Sequence, residues 1–376
     1  MYFFEWGFWQ VCVEAKRKKG HETNRHNHLK KIDVYESDAH DSQAAAQESV
    51  SQTPKARGPV YVFDDVALEM RCGTSEAKRG LVTILTLAVM TVVLIEFLLA
   101  GSLIVSAIEI LLTKSNAVYG HDLLLAMFLG SLASAASWFY LKYGLRFTRL
   151  EMFTSRHLLI RFNHKTQQVY LHRPSYCGGI MTLPWKGVTS SGAGERYSIA
   201  GGVGVPLFLY WSARVTDTLH PVSVWVGKAG NNQAELRDEW EFIRRFMDEG
   251  PQSLPRPRIT SHFPWPWQAF TPQFEGLTQY FRHASRGIKI GLLLIWPAFV
   301  IIGMGHWASL LLCWKPRWPK LIRQAGLPGK PVPPQTTLAS YPAHIQERLR
   351  ANAHLWAVRP GKRPEKKPKT AARKHT

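Results

Sequence analysis

The sequence predicts an α+β membrane protein: a transmembrane helical hairpin, then a small β-rich cytoplasmic domain, then a third membrane-embedded helical segment. Two observations support this fold class, namely three long apolar runs and a central region of strand-like alternation. The apolar runs occupy residues 81–112, 123–141 and 288–314. Each is long enough to cross a hydrocarbon core, which requires about 20 apolar residues. A soluble fold has little use for three such runs, so we predict an integral membrane protein.

The chain before the first run is mostly polar. Residues 1–58 are predicted to be disordered, because residues 20–58 show almost no apolar periodicity. The aromatic start, MYFFEWGFWQVCV, precedes its basic cluster instead of following it, which is the reverse of a signal peptide. It is expected either to lie in a membrane interface or to be a non-native start. Residues 59–80 form a short strand-like lead-in, with a strand at 60–63.

Residues 81–142 are predicted to form the transmembrane hairpin. Its connector, from about Thr113 to Asp122, holds one Lys and one Asp, whereas basic residues flank both outer ends. The positive-inside rule therefore places both flanks in the cytoplasm. Small residues recur every four positions in the second helix, at Ala126, Gly130 and Ser134. This stripe is expected to pack against the first helix, and a homo-oligomer is the alternative use.

Glu96 and Glu109 are the acidic residues of the apolar runs. A carboxylate at depth in a bilayer is costly and is typical of a proton relay or an ion path. The two residues lie about 220° apart around a helix, so they do not form one site. Glu96 is the candidate intramembrane acid. It supports an alternative function, in which a channel- or transporter-like protein uses Glu96 in an oligomeric helical assembly.

Residues 143–250 are predicted to form the β-rich soluble domain. Segments 157–162 and 168–172 flank a turn and predict a β-hairpin, and further strands are expected at 179–183, 207–211 and 222–226. An amphipathic helix begins near Asn232, where Glu235 gives capping-box spacing, and Gly250 ends it. Strands closed by one amphipathic helix resemble the element order of pleckstrin-homology-like domains. An isolated 143–260 fragment is expected to fold in water.

Residues 251–287 are predicted to be a connector rich in proline and aromatic residues. Trp265 and Trp267 suit the lipid-headgroup region, and covering the β-rich domain is the alternative role for these rings. The third apolar segment, 288–314, creates a conflict, because a single crossing would carry the basic tail to the outside. A kinked re-entrant segment or an interfacial helix pair would return the tail to the cytoplasm. A third true span with an external tail is the alternative.

Residues 315–376 are predicted to be a basic, largely disordered tail. They hold 15 Lys or Arg against two Glu, and so most of the formal charge of +20. Such a segment is attracted to anionic lipid, and a membrane is already present. Nucleic acid is not expected as a partner, because no aromatic residues interleave the basic residues from Arg359 onward. Contact with lipid headgroups is therefore assigned to Lys362, Arg363, Lys366, Lys367 and Lys369.

Nothing in the sequence indicates a catalytic or metal site. The four cysteines are widely spaced, and the cluster of His21, His26 and His28 has no Cys partner. The glycines between 192 and 204 match neither the dinucleotide-binding nor the P-loop pattern, and no hydrolase or kinase motif occurs. We therefore predict no catalytic residue, no cofactor and no metal, and a function other than catalysis.

Several short segments resemble a known family. They are YVFDD before the two membrane helices, IRFNHKTQQVY and LPW in the β-rich domain, and EWEFIRRFMDEGP in its helix. The pattern is similar to an uncharacterised family of proteobacterial inner-membrane proteins, often encoded near type VI secretion genes, over about residues 58–325. The resemblance implies an accessory or immunity role at such a locus, and it carries no catalytic residue.

Together, these observations predict a membrane-anchored interaction module that faces the cytoplasm. The protein would be multi-pass in a bacterial inner membrane, with anionic phospholipid headgroups and an unidentified protein as its partners. Edge strands and exposed loops, such as residues 189–204, would bind the protein partner.

Overall fold

The computed structural model describes residues 2–14, 36–73, 79–113, 120–193, 205–230, 232–274, 281, 284–357 and 361. The chain divides into two compact units, each discontinuous in sequence. The helical unit comprises Met1–Trp6, Gly73–Leu158 and Ser261–Arg317. The β unit comprises Gly7–Cys72, Leu159–Thr260 and Trp318–Thr376. The chain therefore leaves the β unit for the helical unit twice, and it returns both times.

Three helical segments are long and apolar enough to cross a membrane: Leu81–Leu112, Gly120–Thr148 and Arg286–Leu311. The second continues from an α-helix through a π-helical turn, Tyr140–Gly144, into Leu145–Thr148. The third runs without a break although Pro297 lies inside it. The helices of ten or more residues among the described residues are, in chain order, α1 (Phe3–Val13), α2 (Glu36–Gln47), α3 (Leu81–Leu112), α4 (Gly120–Phe139), α5 (Gln233–Glu249), α6 (Arg286–Leu311) and α7 (Ala343–Asn352).

The β unit is built on an eight-stranded antiparallel sheet. Its strands are β1 (Val60–Phe63), β2 (Ala67–Cys72), β3 (Leu158–Asn163), β4 (Gln168–His172), β5 (Met181–Pro184), β6 (Val188–Ser190), β7 (Leu207–Trp211) and β8 (Val222–Val226). The strand order is β5-β4-β3-β2-β8-β7-β6, with β1 paired to β2. In this order β2 joins the β3–β4–β5 meander to the β6–β7–β8 meander. The sheet, with the three apolar helices, confirms a mixed α+β fold.

The sequence predicted six of the eight strands and missed β2 and β6. β2 has no alternation to detect, because the four residues from Ala67 to Met70 are all buried. One of them is charged: Glu69 accepts a hydrogen bond from Trp318 Nε1 at 2.7 Å and lies 3.6 Å from Arg161. β6 spans three residues, too short for a periodic signal.

Helix α5 confirms its prediction at both ends. The Asn232 side chain caps the helix by accepting a hydrogen bond from the Glu235 backbone N–H at 2.9 Å. The helix stops at Gly250, whose φ of 88° favours glycine. Its predicted apolar face lies in the core, since no side chain of the face is more than 1% exposed: Leu236, Trp240, Ile243 and Met247.

The N-terminal region contains structure where the sequence predicted disorder. Helix α1 buries Cys12 and Val13 against Tyr341 and Leu349 of the C-terminal region. Trp9 packs on Gly178, where a β-carbon would lie 3.1 Å from the indole ring. This end of α1 thus belongs to the folded core of the β unit. The prediction of disorder for residues 1–58 was wrong for this helix, because its apolar partners lie more than 300 positions away.

The basic tail is also ordered for much of its length, unlike the prediction for residues 315–376. Trp318, Ile322 and Ala325 are buried in one cluster with residues of the sheet. Further along, the backbone N–H of Thr336 donates to the Thr182 carbonyl at 2.9 Å, and Thr336 Oγ1 accepts from the Thr182 N–H at 2.8 Å. The apolar residues scattered through the tail supply this packing, and the high charge concealed them.

Candidate membrane-interface site

Helices α3 and α4 of the helical unit pack against each other. A connector of only a few residues, near 113–119, requires the two long helices to run antiparallel. Thr86 and Thr148 share a hydrogen bond of 3.1 Å between their hydroxyls, which fixes the register near one end. The buried alanines follow the same register, since it sets Ala100 and Ala107 of α3 opposite Ala133 and Ala126 of α4.

Of the small-residue stripe of α4, only Ala126 packs against α3, and Gly130 and Ser134 lie outside the contact. Ala126 is buried in the seam, as expected of a packing residue. Gly130 has open space where a β-carbon would stand, and Ser134 is exposed, with its hydroxyl donating to the Gly130 carbonyl at 2.7 Å. Ala133, which the four-residue spacing omitted, is the second α4 residue of the seam. A seven-residue spacing is the signal that would have found it.

Glu96 lies on α3 at the level of Trp138, according to the same register. Its side chain is partly exposed, and Glu109, farther along α3, is exposed. Trp138 begins a group of aromatic and basic residues at the C-terminal end of α4. The Lys142 ammonium lies 4.4 Å from the Trp138 ring centre and 5.3 Å from that of Tyr143. Glu96 thus lies near the middle of α3 and level with this aromatic and basic group, and its role as an intramembrane acid stays a prediction.

A buried carboxylate caps the start of α3. Glu151, completely buried, accepts hydrogen bonds from the backbone N–H groups of Gly80 and Val82 and from the Thr83 hydroxyl. A negative charge at this position complements the positive end of the helix dipole. Gly80 has a φ of 111°, and a β-carbon there would lie 2.5 Å from the Ile302 carbonyl oxygen of α6. The first apolar helix therefore begins at a tight and fully bonded junction with the third.

Two arginines complete this junction. Arg79, 1% exposed, donates to Ser309 Oγ at 2.8 Å and to the Arg156 carbonyl at 2.5 Å. Arg156 in turn donates to the carbonyls of Leu310 and Cys313, both at 2.9 Å, where α6 ends. A guanidinium suits this position, because the C-terminal end of a helix carries partial negative charge. The start of α3 and the end of α6 are thus held together by Arg79, Glu151 and Arg156, which we call the junction residues.

The connector before α6 presents an aromatic stack. Trp265 and Trp267 stack with ring centres 4.8 Å apart at 8°, and Phe263 lies 4.7 Å from Trp265. The three side chains are 56%, 41% and 59% exposed in chain order. Their backbone is fixed: Trp307 Nε1 donates to the Pro264 carbonyl at 3.0 Å. Each ring therefore keeps a large exposed face, and contact of Trp265 and Trp267 with lipid headgroups stays a prediction.

A family model of unknown function, DUF6708, matches residues 137–327. The chain belongs to this family. The matched region of the DUF6708 family begins at the Trp138 group and includes Glu151, Arg156, the aromatic stack and α6. It ends just after Ala325 of the β unit. Neither a curated protein nor a solved structure matches the chain significantly.

Several predicted residues of this DUF6708 member lie outside the described residues, namely Lys362, Arg363, Lys366, Lys367 and Lys369, and most of the 189–204 loop. Their lipid or protein contacts stay predictions. Within the described part of the chain, no three His, Cys, Asp or Glu side chains are grouped as a metal site would require. The sequence interpretation missed the junction residues, since it treated Arg79 as a flanking charge. The sequence signal that could have identified them is an acidic and a basic residue, Glu151 and Arg156, shortly after the second apolar helix.

Proposed function

We propose that this protein is an integral membrane protein that holds a folded interaction module, the β unit, at one face of a bilayer. Two excursions of the chain, residues 73–158 and 261–317, would enter the membrane. The first contains α3 and α4, and the second contains α6. Their length and apolar composition support insertion, since a segment of about 20 apolar residues partitions into a hydrocarbon core.

One observation carries the proposal of a single face. The residues of one buried cluster come from three separate parts of the chain: Tyr61 before the first excursion, Leu159 and Tyr170 between the two, and Trp318, Ile322 and Ala325 after the second. Parts of one core cannot lie on opposite sides of a bilayer. The chain must therefore return to its starting face after each excursion.

Charge supports the cytoplasm as that face. Basic residues lie at the junction end of the apolar helices, among them Lys142, Arg146, Lys315 and Arg317. The excess of Lys and Arg on cytoplasmic loops predicts that this end faces inward. The basic tail from Lys362 would then meet the anionic leaflet, where each charge contributes about 1 kcal/mol.

The sheet edges restrict how a protein partner could bind. β5 lies at one end of the strand order. Its residue Thr182 both donates a hydrogen bond to Thr336 of the tail and accepts one from it. β6, at the other end, is contacted by α2. Covered edges do not accept an added strand. We therefore assign partner binding first to exposed loops and side-chain surfaces of the β unit, ahead of its edge strands.

Topology reporters test the proposal. A reporter inserted after Tyr197 and another fused after Thr376 should give the same cytoplasmic signal in the intact bacterial membrane. Opposite signals from the two positions would contradict a single-faced module.

The link to type VI secretion rests on the family resemblance alone. It predicts that loss of the protein impairs either secretion or survival beside secreting sister cells, and a strain unchanged in both respects would remove that role.

A further inference from the structure

We propose that segments 261–274 and 284–311 are the two arms of a re-entrant hairpin, which enters the bilayer from the face of the β unit and leaves it at the same face without reaching the other side. The stack of Phe263, Trp265 and Trp267 would lie in the phospholipid headgroup layer of that leaflet. The inference rests on the proposed membrane function, and it assigns lipid, not protein, as the partner of this surface.

The connector doubles back along α6. Pro264 lies beside Trp307, near the end of the helix, through the indole hydrogen bond. Phe270 lies against Gly303, where a β-carbon would stand 2.5 Å from its ring. The Phe274 ring centre is then 5.9 Å from that of Phe299 and 6.3 Å from that of Trp296. As the connector advances, its contacts on α6 move toward the start of the helix. The two segments therefore run antiparallel as a hairpin.

Two amide side chains of the connector make hydrogen bonds within this hairpin, where a bilayer would offer no water as an alternative partner. Gln268 Nε2 donates to the Ser261 carbonyl at 2.9 Å. Gln273 Nε2 lies 3.3 Å from His306 Nδ1, and the imidazole is fully buried. Irregular backbone is tolerated in a bilayer where protein shields it, and α6 provides that shield along the connector.

The other apolar helices support only one end of α6. Its buried residues all lie in the last third, from Gly303 to Leu310, where Gly305 meets Gly80 and Ile84 of α3. None of the described side chains from Arg286 to Ile302 is buried. A helix that stood upright beside α3 and α4 would bury a seam along its length, as α3 and α4 do together. Among its described residues, α6 is instead buried only near the junction.

Charge at the tip of the hairpin opposes a full crossing. Arg286 and Lys289 stand at the start of α6, and the Lys289 ammonium lies 5.5 Å from the Phe281 ring centre. A crossing would carry both cations to the face opposite the other basic residues, against the positive-inside rule. A re-entrant path that stays in the near leaflet lets both long side chains reach the headgroups at the face of Lys142, Arg146 and Lys315. Pro297, at mid-helix, removes one backbone hydrogen bond and eases a bend in such a path.

The exposed stack fits the headgroup layer of the same leaflet. Amphipathic indole rings concentrate at membrane–water interfaces, where the ring meets lipid and the N–H meets water or headgroups. The stack precedes the hairpin directly. It is held near the end of α6 by the Trp307 hydrogen bond and by Arg156, which donates to the His262 carbonyl at 2.7 Å. Its position therefore corresponds to the point where the hairpin enters the bilayer.

Cysteine accessibility in the full-length protein tests the proposal. Gly287→Cys marks the hairpin tip and Gly120→Cys marks the far end of the α3–α4 pair. Both glycines have nothing within 4 Å of a β-carbon, so both variants should fold. Lys320→Cys, at an exposed position, marks the β unit. The four native cysteines are buried, so the parent protein gives the background for a membrane-impermeant maleimide.

Right-side-out and inverted membrane vesicles should give a clear pattern. Gly120→Cys should label from the face opposite Lys320→Cys. Gly287→Cys should label with Lys320→Cys, or only after detergent if the tip lies within the lipid, and either result supports the re-entrant hairpin. Labelling of Gly287→Cys together with Gly120→Cys would overturn it. Labelling of Gly120→Cys together with Lys320→Cys would instead refute the crossing of α3 and α4, and so the proposed function itself.

Discussion

Two acidic residues of α5 show how the surroundings of a side chain decide its charge. Glu239 is fully buried, and burial raises its pKa well above the usual range. Burial alone would also raise the pKa of Glu241, but hydrogen bonds from Arg244 and Arg245 outweigh it and lower the pKa to about 2. Glu241 further accepts from the Ser49 hydroxyl at 2.9 Å and from the Val50 N–H at 3.1 Å. It therefore fastens the segment before β1 to α5 as a carboxylate.

The Glu241→Gln variant should be less stable than the parent at neutral pH. A lost hydrogen bond to a charged group costs about 1.5–3 kcal/mol, and the variant also removes the carboxylate that pairs with both Arg244 and Arg245. Because the folded pKa lies below the usual value of 4.5, this stabilisation is complete above pH 4.5 and disappears as the pH falls toward 2. Urea unfolding of the detergent-solubilised protein should show a large difference at pH 7 and a smaller one at pH 3.

Asp248→Asn is the matched control for this prediction. Asp248 pairs with the same Arg244 at 2.9 Å, but its side chain is 41% exposed. Exposed pairs contribute about 0–1 kcal/mol, so this variant should unfold close to the parent at both pH values. Equal losses in the two variants would mean that the ion pairs of Arg244, and not the buried carboxylate, hold the segment.

At the scale of elements, the apolar helices are fixed at their ends by residues distant in sequence. α3 begins on Glu151 and α6 ends on Arg156, so each charge opposes the partial charge of its helix terminus. Arg79 connects the two through Ser309. Lipid cannot satisfy the open N–H and C=O groups of a helix end, and these side chains do so instead.

Glu151→Gln should therefore lower the stability of the helical unit, whereas Glu96→Gln should not. The first removes a buried charge that accepts three hydrogen bonds, and we expect a loss of about 1–3 kcal/mol. The second changes a side chain that is already partly exposed and makes no comparable set of bonds at a helix end. Thermal unfolding in detergent measures both.

Ion flux into proteoliposomes tests the alternative function: a flux that Glu96→Gln abolishes in a folded protein would favour a channel.

Elements with local signals could be predicted from the sequence, and elements defined by distant contacts could not. The β3–β4 hairpin and α5 carry their turn and cap residues within a few positions, and both were predicted. β2 and the ordered tail depend on each other, since Glu69 accepts its hydrogen bond from Trp318. In the candidate site, composition alone predicted lipid contact for Trp265 and Trp267, which the structure leaves exposed. The junction residues were missed, because their function appears only when the ends of α3 and α6 meet.

At the scale of the whole molecule, the discontinuous β unit explains why a contiguous fragment is a poor substitute for it. The 143–260 fragment, predicted from the sequence to fold in water, lacks β1 and β2. Because β2 stands between β3 and β8, its loss separates the sheet into two meanders. The fragment also lacks Trp318 and Ile322, which pack on Leu159 and Tyr170. We therefore expect this fragment to aggregate.

A rejoined β unit should fold in water where the contiguous fragment does not. The first excursion starts and ends at neighbouring points, since a β-carbon on Gly73 would lie 3.2 Å from Leu158 Cδ1. The second does so too: the Thr260 N–H donates to the Val60 carbonyl at 2.7 Å, and Trp318 shares a cluster with the adjacent Tyr61. Short glycine linkers can therefore replace both excursions in a chain of residues 7–73, 158–260 and 318–357.

Gel filtration and urea unfolding of this rejoined chain should show a monodisperse, cooperatively folded module. Cooperative unfolding of the 143–260 fragment would contradict the central role of β2, and aggregation of the rejoined chain would show that the β unit needs its membrane excursions to fold.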